Sequence, residues 1–259
     1  MSLVAEALTV RYGGRVAVDR VSLRAEPGEV LAVLGANGSG KSSLLRALAG
    51  TQRHEGTVRL SRGPAAYMPQ DNAACAALTA FEVVLLGRLR SLALRVGTAD
   101  LRAAQAALAE LGVAHLAGRR IGELSGGQRQ LVFMAQVLAA DPAVLLLDEP
   151  TSALDIAHQL QVLSLLRTAT ARRGLVTVAV LHDLNAAARF ADRVALMRDG
   201  RVLRAGPPDE VFTRPVLREA YGVDVAVLPG PDHRPVVVPL RPVSQAPPSG
   251  SDSLCHARA

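Results

Sequence analysis

The residues best placed to do chemistry are Gly35-Ala36-Asn37-Gly38-Ser39-Gly40-Lys41-Ser42-Ser43, which satisfy G-x-x-x-x-G-K-[ST] at every fixed position. A loop of this kind cradles phosphates. Its glycines let backbone N–H groups converge on anionic oxygens, and the positive end of the following helix adds to the field. Of the 29 lysine and arginine residues, Lys41 alone is a lysine. A compact ammonium on a thin stem can be wrapped by glycine backbone and still touch two phosphates, whereas a broad planar guanidinium fits that space poorly. Ser42 offers a hydroxyl to Mg²⁺. The flanks agree: Glu29-Val30-Leu31-Ala32-Val33-Leu34 reads as a buried strand entering the loop, and Ser43 to Gly50 as a helix closed by glycine. These residues predict a nucleoside triphosphate site, with Gly35, Asn37, Gly38, Ser39, Gly40, Lys41, Ser42 and Ser43 as its ligands.

A second group lies far downstream. Asp148-Glu149 ends the apolar run Val144 to Leu147, and the carboxyl end of a buried strand is where an open parallel sheet places its ligand. The first carboxylate can hold Mg²⁺ directly or through water, and the second can take a proton from a water attacking the γ-phosphate. On its own such a pair fits a helix cap or a solvated surface as well; the phosphate loop upstream favours the catalytic reading. Between the two groups stands Leu124-Ser125-Gly126-Gly127-Gln128. Ser125 can cap the helix that follows, and Gly126-Gly127 leave its backbone open to an anion.

With that five-residue string the chain resembles the ATP-binding cassette (ABC) ATPases, over residues 3 to 240 and with the motifs in family order. The resemblance implies ATP and Mg²⁺ as cofactors and an ATPase whose sites are each built from two chains. In that arrangement Ser125, Gly126, Gly127 and Gln128 of one subunit meet the γ-phosphate on the other's phosphate loop. It also implies roles for further residues. Gln70 matches the glutamine that reaches Mg²⁺ and the attacking water and links the helical insert to a permease; taken alone it reads as a surface residue. Asp155, in Ser152-Ala153-Leu154-Asp155, matches a residue facing the partner subunit, and a simple helix N-cap explains it equally. His182 matches the histidine that contacts the γ-phosphate, although an isolated histidine after a strand is often structural. Tyr12 matches the aromatic that stacks on adenine, against plain packing as the alternative. Ala36 and Ser43 stand where the family often has Pro and Thr, and neither change removes a ligand group.

The elements that must position these groups follow from patterning. Residues 1 to 28 alternate apolar and polar positions around Gly13-Gly14 and Pro27-Gly28, which predicts antiparallel strands. From 71 to 137 the texture is helical, with Leu101 to Leu111 the clearest amphipathic piece. Strand–helix alternation returns at Val144–Asp148 and Val176–His182. The expected fold is α/β: one ABC ATPase domain over 1–240, with a P-loop nucleotide-binding lobe (1–70 and 138–240), an N-terminal antiparallel β subdomain within it, and an inserted helical subdomain (71–137). Residues 241–259, rich in Pro, Ser and Ala, read as a disordered tail.

Composition narrows the field. The chain has 259 residues, 49% of them hydrophobic and 20% charged, as ordinary globular proteins do. No uncharged apolar run reaches the roughly 18 to 20 residues that a membrane-spanning helix needs, and the start lacks the basic and apolar stretches of a secretory signal. Cys75 and Cys255 show neither metal-ligand nor disulfide spacing, which suggests a reducing compartment. A net charge of +6 would permit nucleic-acid contact, but scattered arginines and 3% aromatics leave little for bases to stack on, so no nucleic-acid partner is expected.

Within the family, Leu78 to Arg88, Thr151 to Gln159 and His182 to Arg189 resemble the importer ATPases that serve iron–siderophore, haem and cobalamin uptake, as does the chain end around Ala220–Val225 and Pro235–Pro239. That resemblance implies integral membrane permease subunits and a second ABC ATPase subunit, expected to be an identical copy. It also implies, indirectly, a periplasmic or lipid-anchored substrate-binding protein, and a place on the cytoplasmic face of the cell membrane. A siderophore is the first-ranked cargo, haem or cobalamin the next. The alternative is a non-transport cassette such as an iron–sulfur cluster assembly ATPase. Those tend to carry acidic and lysine residues after the Gly-Gly, where this chain has Gln128-Arg129-Gln130. The apolar stripe Leu78, Phe81, Val84 and Leu85 beside Gln70 fits internal core or a permease contact over Asp71 to Arg90.

Overall fold

A computed structural model describes residues 2–60, 63, 65–70, 76–88, 96–152 and 154–243. Cys75, Cys255, Ala153, the stretches Asp71–Cys75 and 89–95, and the tail from 244 onward lie outside the described residues.

Two strands, β1 (Leu3–Tyr12) and β2 (Arg15–Ala25), form a hairpin across Gly13-Gly14, with Tyr12 paired to Arg15. The expected antiparallel start is thus present. It gains a third strand that the sequence pattern did not suggest, β4 (Glu55–Leu60), on the other edge of β1. The main sheet has six strands: β3 (Val30–Gly35), β5 (Ala65–Met68), β6 (Val144–Asp148), β7 (Val176–Val180), β8 (Arg193–Arg198) and β9 (Arg201–Gly206), in the order β5-β6-β7-β3-β8-β9. The first five are parallel neighbours and only β9 runs antiparallel, across the Asp199-Gly200 turn.

Strands buried on both faces read as continuous apolar runs, and side-chain alternation then divides each run between two cores. Leu31, Val33, Val144, Leu146, Val178 and Val180 face a core shared with the antiparallel sheet and with α1 (Lys41–Leu48). Ala32, Leu34, Leu145, Leu147 and Ala179 face the other core. There they meet α5 (Ile156–Arg173), α6 (Leu184–Phe190) and the helical insert of α2 (Ala80–Leu86), α3 (Thr98–Glu110) and α4 (Gly126–Ala139). The insert therefore covers one face of the catalytic sheet and continues its core. The stripe on α2 resolves largely as core: Val84 is fully buried, while Leu78, Phe81 and Leu85 are partly buried against the same cluster.

Two short helices, α7 (Pro208–Val211) and α8 (Arg214–Tyr221), lead into a hairpin of β10 (Val223–Pro229) and β11 (Pro235–Pro242). This hairpin was not foreseen, and β11 runs two residues past the expected start of the tail. No helix among the described residues is long and apolar enough to cross a membrane.

One polar pair is embedded in this packing. Thr170 on α5 and Thr177 on β7 are wholly buried and share a hydrogen bond of 2.7 Å between their hydroxyls. Removing one partner strands the other in an apolar setting, whereas removing both is close to neutral. We expect Thr170→Val to lower unfolding free energy by about 1–2 kcal/mol, and the Thr170→Val/Thr177→Val pair to recover most of it. Denaturant unfolding of the three variants measures this.

Candidate nucleotide site

The sheet order builds the site. Strands β5, β6, β7 and β3 lie side by side and parallel, so their carboxyl ends open on one edge. Gln70 lies two residues beyond β5, Asp148-Glu149 close β6, His182 lies two residues beyond β7, and the phosphate loop follows β3. Groups spread over more than a hundred residues of sequence thereby converge, as expected where ligands sit at the carboxyl edge of an open α/β sheet.

Within the loop, backbone geometry explains the glycines. Gly38 and Gly40 have φ of +79° and +100°, in the region that L side chains avoid, and a Cβ on Gly40 would collide with the Ala17 carbonyl. Lys41 is 94% buried, being 6% exposed, and its Nζ donates to the carbonyls of Gly35 at 2.8 Å and Ala36 at 3.0 Å. Burial lowers its pKa, opposed by the nearby Glu149 and Asp148 carboxylates. The ammonium is thus held on its own loop, ready to exchange two carbonyls for phosphate oxygens.

The acidic pair is equally organised. Asp148 is buried; its Oδ1 accepts from Ser42 Oγ at 3.0 Å and its Oδ2 from the Tyr67 hydroxyl at 3.3 Å. Burial raises its pKa while those two hydrogen bonds pull the other way. Ser42 and one oxygen of Asp148 therefore face each other as a hydroxyl–carboxylate pair of hard donors, the type that suits Mg²⁺. Among the described residues no three His, Cys, Asp or Glu gather as a metal cluster, so a cation here would complete its shell with phosphate and water.

Glu149 has φ of +54°, a left-handed backbone that is uncommon for a residue with a side chain. Its carbonyl is fixed by Ser152, through the backbone N–H and the hydroxyl, both at 3.1 Å. The twist turns the carboxylate into the opening, where Oε2 accepts from Gln70 Nε2 at 2.8 Å and Oε1 lies 2.6 Å from His182 Nε2. A carboxylate braced by an amide and an imidazole at the mouth of a phosphate loop can orient or deprotonate a water.

These groups enclose a cavity of about 950 Å³ lined by Asn37, Gly38, Gly40, Lys41, Ser42, Ser43, Gln70, Glu149 and His182, with Tyr12 at 43% exposure on its wall. Gly35 and Ser39 are buried and do not line it. Ser125, Gly126, Gly127, Gln128 and Asp155 do not line it either: they sit at the starts of α4 and α5, on outward-facing turns. There Ser125 and Gln128 form a reciprocal cap, Ser125 Oγ accepting from Gln128 N–H at 3.3 Å and Gln128 Oε1 from Ser125 N–H at 3.2 Å.

The structure adds residues that the sequence did not reveal. Arg15, Val16 and Ala17 line the cavity beside Tyr12, as do Asp199 and Gly200. That turn braces the loop, with Gly200 N–H donating to the Ser39 carbonyl at 3.1 Å. The Asp-Gly pair between two apolar runs was a readable hairpin signal; nothing in the sequence marked Arg15 to Ala17. Tyr67 is a further addition, its hydroxyl bridging Asp148 and, on the other side, Arg46, whose pKa this contact raises.

A doubly covered parallel sheet with a phosphate loop, an acidic pair and an inserted helical subdomain defines a P-loop ATPase of the cassette type. Comparison with known proteins makes the class specific: the family described as ABC transporter matches residues 18–152, and the chain belongs to it. The hemin import ATP-binding protein HmuV of Gloeobacter violaceus is 42% identical over 277 residues, spanning 99% of this chain and 100% of that protein. HmuV of Streptomyces coelicolor is 44% identical, across 88% of this chain and 85% of its own length. A solved structure described as an inward-facing metal-chelate type ABC transporter superposes with a TM-score of 0.84 at 30% identity, covering 92% of this chain and 97% of that one.

Lys41→Arg tests the fit of the ammonium to its loop. Keeping the charge but losing the point geometry should lower ATP turnover by roughly a hundredfold, in line with loss of one transition-state donor. Phosphate release by the purified protein is the measurement, and a near wild-type rate would refute the argument.

Proposed function

We propose that the chain is the ATP-hydrolysing subunit of an ABC importer, driving uptake of an iron chelate through a separate membrane permease. The observation that carries this reading is the division of the site. The phosphate loop, acidic pair, Gln70 and His182 share one cavity, while Ser125–Gln128 and Asp155 stand outside it, at the outward-facing N-caps of α4 and α5. Two half-sites of that kind are completed by a second chain. Beside Asp155, Ile156 is 77% exposed, the most exposed large apolar residue described, and Leu160 continues its face at 37%. An exposed apolar pair flanking a half-site suits a surface covered by a second copy.

In this reading Lys41, the loop N–H groups of residues 37 to 43 and Tyr12 hold ATP, while Ser42, Asp148 and Gln70 hold Mg²⁺. The metal would neutralise charge between the phosphates. Glu149, steadied by Gln70 and His182, orients and deprotonates the attacking water, and His182 holds the γ-phosphate side of the cavity. Ser125, Gly127 and Gln128 of the partner, with its Asp155, close the site. Closure moves the insert, Gln70 transmits that movement to the permease, and hydrolysis reopens the pair at the cytoplasmic membrane face. A substrate-binding protein would deliver cargo on the far side. The named relatives are hemin import proteins, which supports hemin over a siderophore as cargo and supports transport over iron–sulfur cluster assembly.

Glu149→Gln separates binding from chemistry. It should bind ATP, turn it over about a thousandfold more slowly, and accumulate as an ATP-bound dimer. Sedimentation at saturating Mg-ATP reads the outcome, and a persistent monomer refutes the two-chain site.

In this reading the permease contact lies after Gln70, and Ala76 and Ala77, exposed at the entry to α2, are open to it. Ala77→Asp should leave ATP hydrolysis by the isolated subunit unchanged while hemin uptake through the assembled transporter in vesicles falls. Normal uptake would place the docking surface elsewhere.

A further inference from the structure

One side chain joins the two outward-facing half-site elements, and the mechanism has not used it. His158 lies in the first turn of α5, and Asp155 is that helix's N-cap. The Asp155 carboxylate accepts from the His158 backbone N–H at 2.9 Å and holds the ring Nδ1 at 2.8 Å through both oxygens. A neutral imidazole in this pose donates from Nδ1 to the carboxylate, which fixes the plane of the ring.

The ring so fixed lies against Gly127. A Cβ built on Gly127 would overlap the ring, falling 2.7 Å from Cγ and 3.0 Å from Nε2, with Cδ2 closer still. Gly127 is buried accordingly, although its neighbours Ser125 and Gly126 are exposed. Its φ is not among the positive values, so backbone conformation does not demand glycine there; the imidazole does. A free ring could swing away from a methyl group, but this one would first give up its bonds to Asp155.

We propose that His158 is a positioning residue: its imidazole wedges between Gly127 and Asp155 and locks the Ser125–Gln128 turn to the Asp155 turn. The two elements then reach the second chain as one preformed surface. Preorganisation of this sort strengthens association by removing ordering that docking would otherwise require. The inference rests on the two-chain reading and adds to it a residue that need not touch nucleotide.

The test uses the full chain carrying Glu149→Gln, with ATP-driven dimerisation measured by sedimentation and single-chain ATP affinity by calorimetry below the dimerisation range. His158→Ala should weaken the dimer roughly tenfold through lost preorganisation, with single-chain ATP affinity unchanged. Gly127→Ala should weaken it further, and adding His158→Ala to Gly127→Ala should bring the loss back to that of His158→Ala alone, because the methyl group then has room. A purely additive pair, or a His158→Ala variant that dimerises like its parent, overturns the proposal while leaving the two-chain site intact. A parent that stays monomeric with ATP overturns the two-chain reading, and this inference with it.

Discussion

Parallel alignment of β5, β6, β7 and β3 is the constraint on which everything else depends. Four strands held in one direction must end on one side, so whatever follows each of them is brought to a common edge. Gln70, Asp148-Glu149, His182 and the phosphate loop need no long-range recognition of each other to assemble; the ladder places them. Register matters as much as direction. Met68 pairs with Leu147 and Asp148 with Val180, and a slip of one residue would exchange the two cores and aim the acidic pair at the wrong face.

Polar groups sit at this edge at a cost. Lys41 and Asp148 are nearly out of water, and Glu149 adopts a left-handed backbone. Each is tolerated because its surroundings over-determine it: two carbonyls for the ammonium, two hydroxyls for the buried carboxylate, a pair of hydrogen bonds from Ser152 for the twisted peptide. Such local departures from low-energy conformation cluster where function needs a group aimed rather than relaxed.

The sequence disclosed what local physics dictates. Gly35 and Gly40 fell at the fixed positions of the loop motif, Val30–Leu34 and Val144–Leu147 had to be buried, α3 carried its own period, and Gly50 and Ser125 marked the end of α1 and the start of α4. Contacts between remote segments stayed hidden. Strand β4 has four exposed residues and two half-buried apolar ones, so its place beside β1 is decided by pairing and leaves no clear alternation. The β10–β11 hairpin, interrupted by prolines, earned no strand reading on pattern alone, yet its buried edge packs Val225 and Val237 into the main core. For α2 the stripe was visible but its destination was not: periodicity shows that a face is apolar, and only the tertiary arrangement shows that α3 and α4 pack against it. The outward-facing turns had the opposite difficulty. Their residues were recognisable by type, but that His158 spans them is a fact of geometry with no linear signature.

Lys41 is the only lysine in the sequence, and it is buried with a lowered pKa. The arginine-rich surface has no side-chain amine to offer. Acylating reagents, aldehydes and enzymes that modify lysine therefore find their one lysine target inside the phosphate loop. The extent of lysine modification in this molecule, read apart from the α-amine, thus becomes a direct chemical gauge of how often that loop is open, with no other lysine side chain to subtract.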